Sequence, residues 1–200
     1  MATMLKVKAK WTGFTGAPGY SNFFFRDFSS TEPTDTEADL AADRIEAFFS
    51  AVKEFFPPTL QIAVQSDADV IEETTGELVT SLNAGTRVPV TGTGAAVGYS
   101  AASGIVVTWR TAGVRNGRRV RGRTFLVPCV PVAYAADGTL ATGTITTVST
   151  AATALRNAAG TPDLGVWARP TGPGATDGSW HAVNAHTVPD LAAVLRSRRD

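Results

Sequence analysis

Thr34–Pro58 reads TDTEADLAADRIEAFFSAVKEFFPP. Its first four residues have the form of a capping box: the Thr34 hydroxyl can accept the Glu37 amide, and the Glu37 carboxylate can reach back to Thr34. Asp35, Glu37 and Asp39 stand where the positive end of a helix dipole favours acids. Ala38, Ala41, Ile45, Phe48, Phe49, Val52 and Phe56 recur at three- and four-residue spacing, which puts them on one helix face. Pro57 disfavours helix at Phe56, and Pro58 extends Pro57. The spacing predicts one long amphipathic helix over residues 35–56. Its apolar face has to lie on a sheet or on a partner.

The flanking sequence supplies the sheet. Leu5–Lys10 alternates apolar residues with lysines, the pattern of a half-exposed strand. Trp11–Tyr20 carries Gly13, Gly16, Pro18 and Gly19, so it reads as a loop or bulged connection. Asn22–Phe28, with its phenylalanines, reads as a buried strand that closes an N-terminal hairpin. Beyond the helix, Leu60–Gln65 alternates as a strand with one wet face. Val70–Leu82 reads as a hairpin turning at Thr74–Glu77, with Gly76 supplying positive φ. Residues 83–104 fit either a long ordered loop or a short strand with a short helix.

Farther on, Ile105–Trp109 and Thr124–Val130 are β-branched and aromatic and read as strands paired through the loop between them. Val130–Tyr134 is interrupted by Pro131, as at an edge or in a loop. Thr139–Ser149 leads into a short helix over Thr150–Ala159. Leu164–Pro170 is a strand, and Trp180–Val188 returns beside it. The fold class expected is α+β: a mainly antiparallel sheet system, the long helix at 35–56 and one or two short helices, in a single domain, 1–200.

Composition narrows the function classes. With 44% hydrophobic and 18% charged residues the chain is globular rather than disordered. Formal net charge is zero, so nothing global draws it to nucleic acid or membrane. The charge is divided, however: Glu32–Glu77 holds twelve acids against Arg44 and Lys53, and bases dominate from Arg87 onward. Opposed acidic and basic faces suit either head-to-tail association or two solvated faces of a monomer. Cys129, the single cysteine, excludes an intrachain disulfide and sits in an apolar run, as a buried inert thiol does. The N-terminus lacks the apolar core of a signal peptide, and no run approaches the ~20 apolar residues of a membrane helix.

Catalytic motifs are missing. Gly92-Thr-Gly-Ala-Ala-Val-Gly98 is a poor match to a dinucleotide fingerprint, and Pro89 spoils the strand before it. His181 and His186 are five apart, which on a strand means opposite faces. No serine-hydrolase elbow is present. No catalytic residue, metal ligand or cofactor is therefore expected. The candidate site is the loop that carries Arg110, Arg115, Arg118, Arg119, Arg121 and Arg123 with no acid among them. Such a loop can grip phosphates, or pair with carboxylates of a neighbouring subunit, or stand solvated. The aromatics that a single-strand binder interleaves with its cations are lacking here, since only Trp109 and Phe125 flank the loop.

Val106-Val-Thr-Trp-Arg-Thr111 with Arg119-Val-Arg-Gly-Arg-Thr-Phe-Leu126 resembles a pattern in structural proteins of tailed bacteriophages. Glu72–Leu78, Val166–Pro170 and Leu195–Arg199 fit the same pattern, and the composition is similar to that of phages of high-GC actinobacteria. The resemblance covers about a third of the chain. It implies a virion component of capsid or tail, assembled in the host cytoplasm, whose partners are other copies of itself and other virion proteins. It brings no catalytic residues, and it implies no cofactor and no membrane. The alternative expectation is an accessory protein that binds nucleic acid through the same arginines.

Overall fold

The computed structural model describes residues 3–12, 19–25, 32–55, 58–94, 104–111, 113–115, 118–120, 124–128, 142–156, 164–171 and 181–184. Helix α1 spans Asp35–Ala51 and begins at the capping box. Thr34 is in extended conformation as the N-cap. Its hydroxyl accepts the Glu37 N–H at 3.3 Å, and the Glu37 carboxylate accepts the Thr34 N–H at 2.9 Å. Glu37 is largely buried, so its carboxylate would lose a partner that water cannot fully replace. Thr34→Ala should therefore lower stability by about 1–2 kcal/mol in chemical denaturation; no measurable change would mean the cap is redundant.

The helix is shorter than the 35–56 expected. Val52 leaves the helical region, with φ −109° and ψ 6°, and a 3-10 turn follows at Lys53–Phe55. The Lys53 carbonyl accepts the Thr93 N–H at 3.0 Å, so a long-range partner serves it in place of another helical turn. Phe56 lies outside the described residues.

Strands β1 (Thr3–Thr12) and β2 (Gly19–Phe25) form the expected hairpin, in register from Leu5↔Phe25 to Trp11↔Gly19. Gly19 faces Trp11 across it, and a Cβ at Gly19 would overlap the indole ring. On the other side of β1 runs β3 (Gln61–Glu72). Leu60–Gln65 and the first arm of the hairpin beginning at Val70 thus belong to one strand. The register shift between Val7 and Ala9 takes up the extra residues of β3 that an uninterrupted ladder would not accommodate. β3 turns into β4 (Leu78–Asn83) with Gly76 at φ 74°, as expected. The Glu72 carboxylate accepts from the Thr75 N–H at 3.1 Å and from the Thr75 hydroxyl, which ties the turn. Val90–Thr91 forms β5, a two-residue strand on β3. The sheet order is β2-β1-β3-β4, with β5 beside β3.

One face of this sheet carries Leu5, Val7, Ala9, Phe23, Phe25, Val64, Ala68 and Val70. They form a single core with Ala38, Ala41, Ile45, Phe48 and Phe49 of α1. On the opposite face Met4, Phe24 and Ile71 form a second small cluster, beside an ion pair of Lys6 with Asp69. All three phenylalanines of β2 are therefore buried, Phe24 on the face away from α1.

A second sheet of four strands has the order β11-β10-β6-β9. Its members are β6 (Gly104–Thr111), β9 (Thr124–Pro128), β10 (Leu164–Thr171) and β11 (His181–Asn184). β6 and β9 pair through the arginine segment, and β11 returns antiparallel on β10, both as expected. Helix α2 spans Thr142–Arg156 and packs against α1, β10 and β11. Its Ala151 and Leu155 enter the core of the first sheet. It starts well before Thr150, inside the threonine run. Threonine disfavours helix only weakly, and here the Thr146 hydroxyl donates to the Thr142 carbonyl at 2.9 Å. Every strand pairing among the described residues is antiparallel, and the fold is α+β with mainly sheet.

Candidate functional site

The six arginines divide. Arg110 lies within β6, in the second sheet, opposite Gly165 of β10. Beyond it the chain makes a two-stranded sheet of its own from β7 (Gly113–Arg115) and β8 (Arg118–Val120). Arg115 stands directly opposite Arg118, and Arg119 opposite Val114. Arg121 and Arg123 lie outside the described residues, as do Cys129 and His186. The backbone thus gathers Arg115, Arg118 and Arg119 on one short ribbon and leaves Arg110 at a separate place. His181 is on β11, opposite Ala168.

The acids have a different fate from the one the charge division suggests, because the chain commits most of them to itself. Asp35 accepts the Asn83 N–H at 2.9 Å, Glu37 closes the capping box, Asp69 pairs with Lys6, and Glu72 holds Thr75. Asp39, Asp43 and Glu46, spaced to share one face of α1, converge on Arg87. The Arg87 side chain is 5% exposed. Its Nε also donates to the Ala84 carbonyl at 2.6 Å, so the guanidinium is fully occupied. Gly85, at φ 79°, brings the backbone so close that a Cβ would run into the Asp39 carboxylate. This clasp fastens the segment after β4 to the outer face of α1. Reading the sequence for function passed over Arg87; the acids at 39, 43 and 46 were the signal for a cation on that face.

Within the clasp, Glu46 is the strained member. Burial pushes its carboxyl above the ordinary 4.5; Arg87 pulls it back, and nearby Asp43 pushes it up again. Among the described residues its Oε1 is buried without a hydrogen-bond partner. A carboxyl whose folded value is raised binds more protons folded than unfolded, so stability falls as pH rises from 4.5 through the raised value. Glu46→Gln lacks that fall. The variant should match the wild type below pH 4.5 and gain on it above, in denaturation series across pH. Superimposable pH profiles would show that Glu46 carries no such cost.

Among the described residues there is no group of three or more metal-ligating side chains, and no helix is long and apolar enough to cross a membrane. Compared with family models, with curated proteins and with solved structures, the chain matches none.

Proposed function

We propose that this chain is a virion structural protein of a tailed bacteriophage, in capsid or tail, that works through multi-copy assembly with the β7–β8 ribbon as a subunit contact. The observation that carries this reading is Arg115 opposite Arg118 on a ribbon paired only with itself among the described residues. Like charges at directly opposed positions repel, so the ribbon gains from a counter-charge brought by another molecule. Asp39 and Asp43 remain 51% and 57% exposed while they hold Arg87, so a neighbouring copy can offer them.

Light scattering across ionic strength tests the reading. The wild type should form discrete oligomers that loosen with salt, because an arginine–carboxylate contact is screened. Arg115, Arg118 and Arg119 all replaced by alanine should give chains that no longer do so. Assembly indifferent both to salt and to these substitutions would overturn the ribbon contact. Salt-sensitive binding to DNA by chains that do not self-associate would favour the nucleic-acid reading instead.

A further inference from the structure

Residues 85–93 run as a strap from the end of β4 through β5. Backbone bonds tie its two ends. The Ala84 N–H donates to the Ser66 carbonyl at 2.7 Å, and the Gly92 and Thr93 N–H groups donate to the Leu60 and Lys53 carbonyls, each at 3.0 Å. β5 adds a short ladder on β3, Gln61↔Thr91 and Ile62↔Val90. Between these ties, residues 85–88 make no backbone–backbone hydrogen bond among the described residues. Thr86, Val88 and Pro89 are exposed, Val88 at 73%. Val90 packs on the core but is only partly buried.

The middle of the strap is therefore held by Arg87. Its guanidinium reaches Asp39, Asp43 and Glu46 of α1, and the Val88 N–H beside it donates to the Glu46 carboxylate. We propose that residues 85–93 are a latched strap, which opens as a unit about Gly85 while α1 and the first sheet stay folded, and that Arg87 is its latch.

Two unequal costs carry this inference. Global unfolding exposes the whole core that α1 makes with β1, β2 and β3. Opening the strap exposes little apolar surface beyond Val90. It also returns Arg87 and its carboxylates to water, and their hydration offsets part of the lost ion pairs. Gly85, at φ 79°, gives the first end of the strap a backbone that turns freely. The opened state has a consequence for β3. Among the described residues only β5 pairs with Gln61 and Ile62 on that side, so opening uncovers a stretch of β3 backbone that the closed chain covers. The arginine ribbon takes no part in this device.

Amide hydrogen exchange of the full chain at neutral pH tests it, because local opening releases a segment without the rest. Corrected for intrinsic rates, the Gly92 and Thr93 amides should exchange at least about 100-fold faster than those of the β1–β3 ladder. Arg87→Met takes the latch from the closed state and should speed Gly92 and Thr93 at least about tenfold further. Phe49→Leu separates the two openings. It weakens a core that is present whether the strap is closed or open, so it should speed the β1–β3 amides and leave Gly92 and Thr93 as they were. Strap amides that exchange only as fast as the β1–β3 ladder would overturn the proposal. So would strap amides that follow Phe49→Leu, or that ignore Arg87→Met.

Discussion

Phe49→Ala is expected to lower the unfolding free energy by about 3–5 kcal/mol, the largest effect of any single truncation in α1. Phe49 is fully buried and stands where helix and sheet meet. Its ring meets Phe23 of β2 edge-on, with centroids 6.0 Å apart and planes at 87°, and Phe48 at 5.2 Å and 67°. Two terms add on truncation. The transfer of the ring out of water is lost, and the walls of the resulting void cannot follow, because the β2 side of it is a hydrogen-bonded strand. Phe49→Leu fills part of the same space and should recover at least about half of the loss. Urea denaturation of the three chains measures this; a deficit below about 1 kcal/mol for the alanine variant would mean that α1 is not the lid of this core.

Arg87→Met should be the second largest. It keeps the aliphatic stem and removes the guanidinium from Asp39, Asp43, Glu46 and the Ala84 carbonyl. Breaking a buried ion pair costs several kcal/mol, but two of these acids are half exposed and keep part of their hydration. A loss of about 2–3 kcal/mol is the consequence. The sign with pH is definite. Arg87 favours the ionised form of Glu46, so that part of its contribution is present at neutral pH and fades as Glu46 is protonated. The deficit of Arg87→Met should therefore be largest at neutral pH and shrink in acid. Arg87 also holds the Glu46 carboxyl down, so in the variant Glu46 should titrate higher still, which carbon-detected NMR reads directly. A deficit that does not vary with pH would show that packing of the stem, and not charge, is what Arg87 contributes.

What could be read from the chain alone was whatever depends on neighbours a few residues apart. The Thr34–Glu37 box, the apolar stripe of α1, the alternation in β1 and the Gly76 turn are of this kind, and each is where its residues predict. The errors also follow a physical pattern. The apolar periodicity runs past the end of α1 at Ala51, but the Thr93 N–H takes the Lys53 carbonyl where another helical turn would follow. The sequence reads the threonine run as leading into a helix at Thr150, whereas α2 begins at Thr142, because packing of Ala151 and Leu155 into the α1 core outweighs threonine's weak preference against helix.

The charge division is the clearest case of a pattern whose meaning depends on the fold. Twelve acids between Glu32 and Glu77 suit either a face that meets a basic partner or a solvated face. In the folded chain, Asp39 and Asp43 meet an arginine 44 or more residues away, and Asp35 caps Asn83 across the same distance. Such contacts carry no local signature, because loop closure brings together positions whose spacing has no period. By itself the sequence determined the capped amphipathic helix, the hairpins and the antiparallel class, through hydrogen bonds and side-chain periods that act within a turn or a strand. Only the tertiary structure decided that Arg87 occupies the acids of α1 and that β3 is one strand, because each depends on which distant segments are packed side by side.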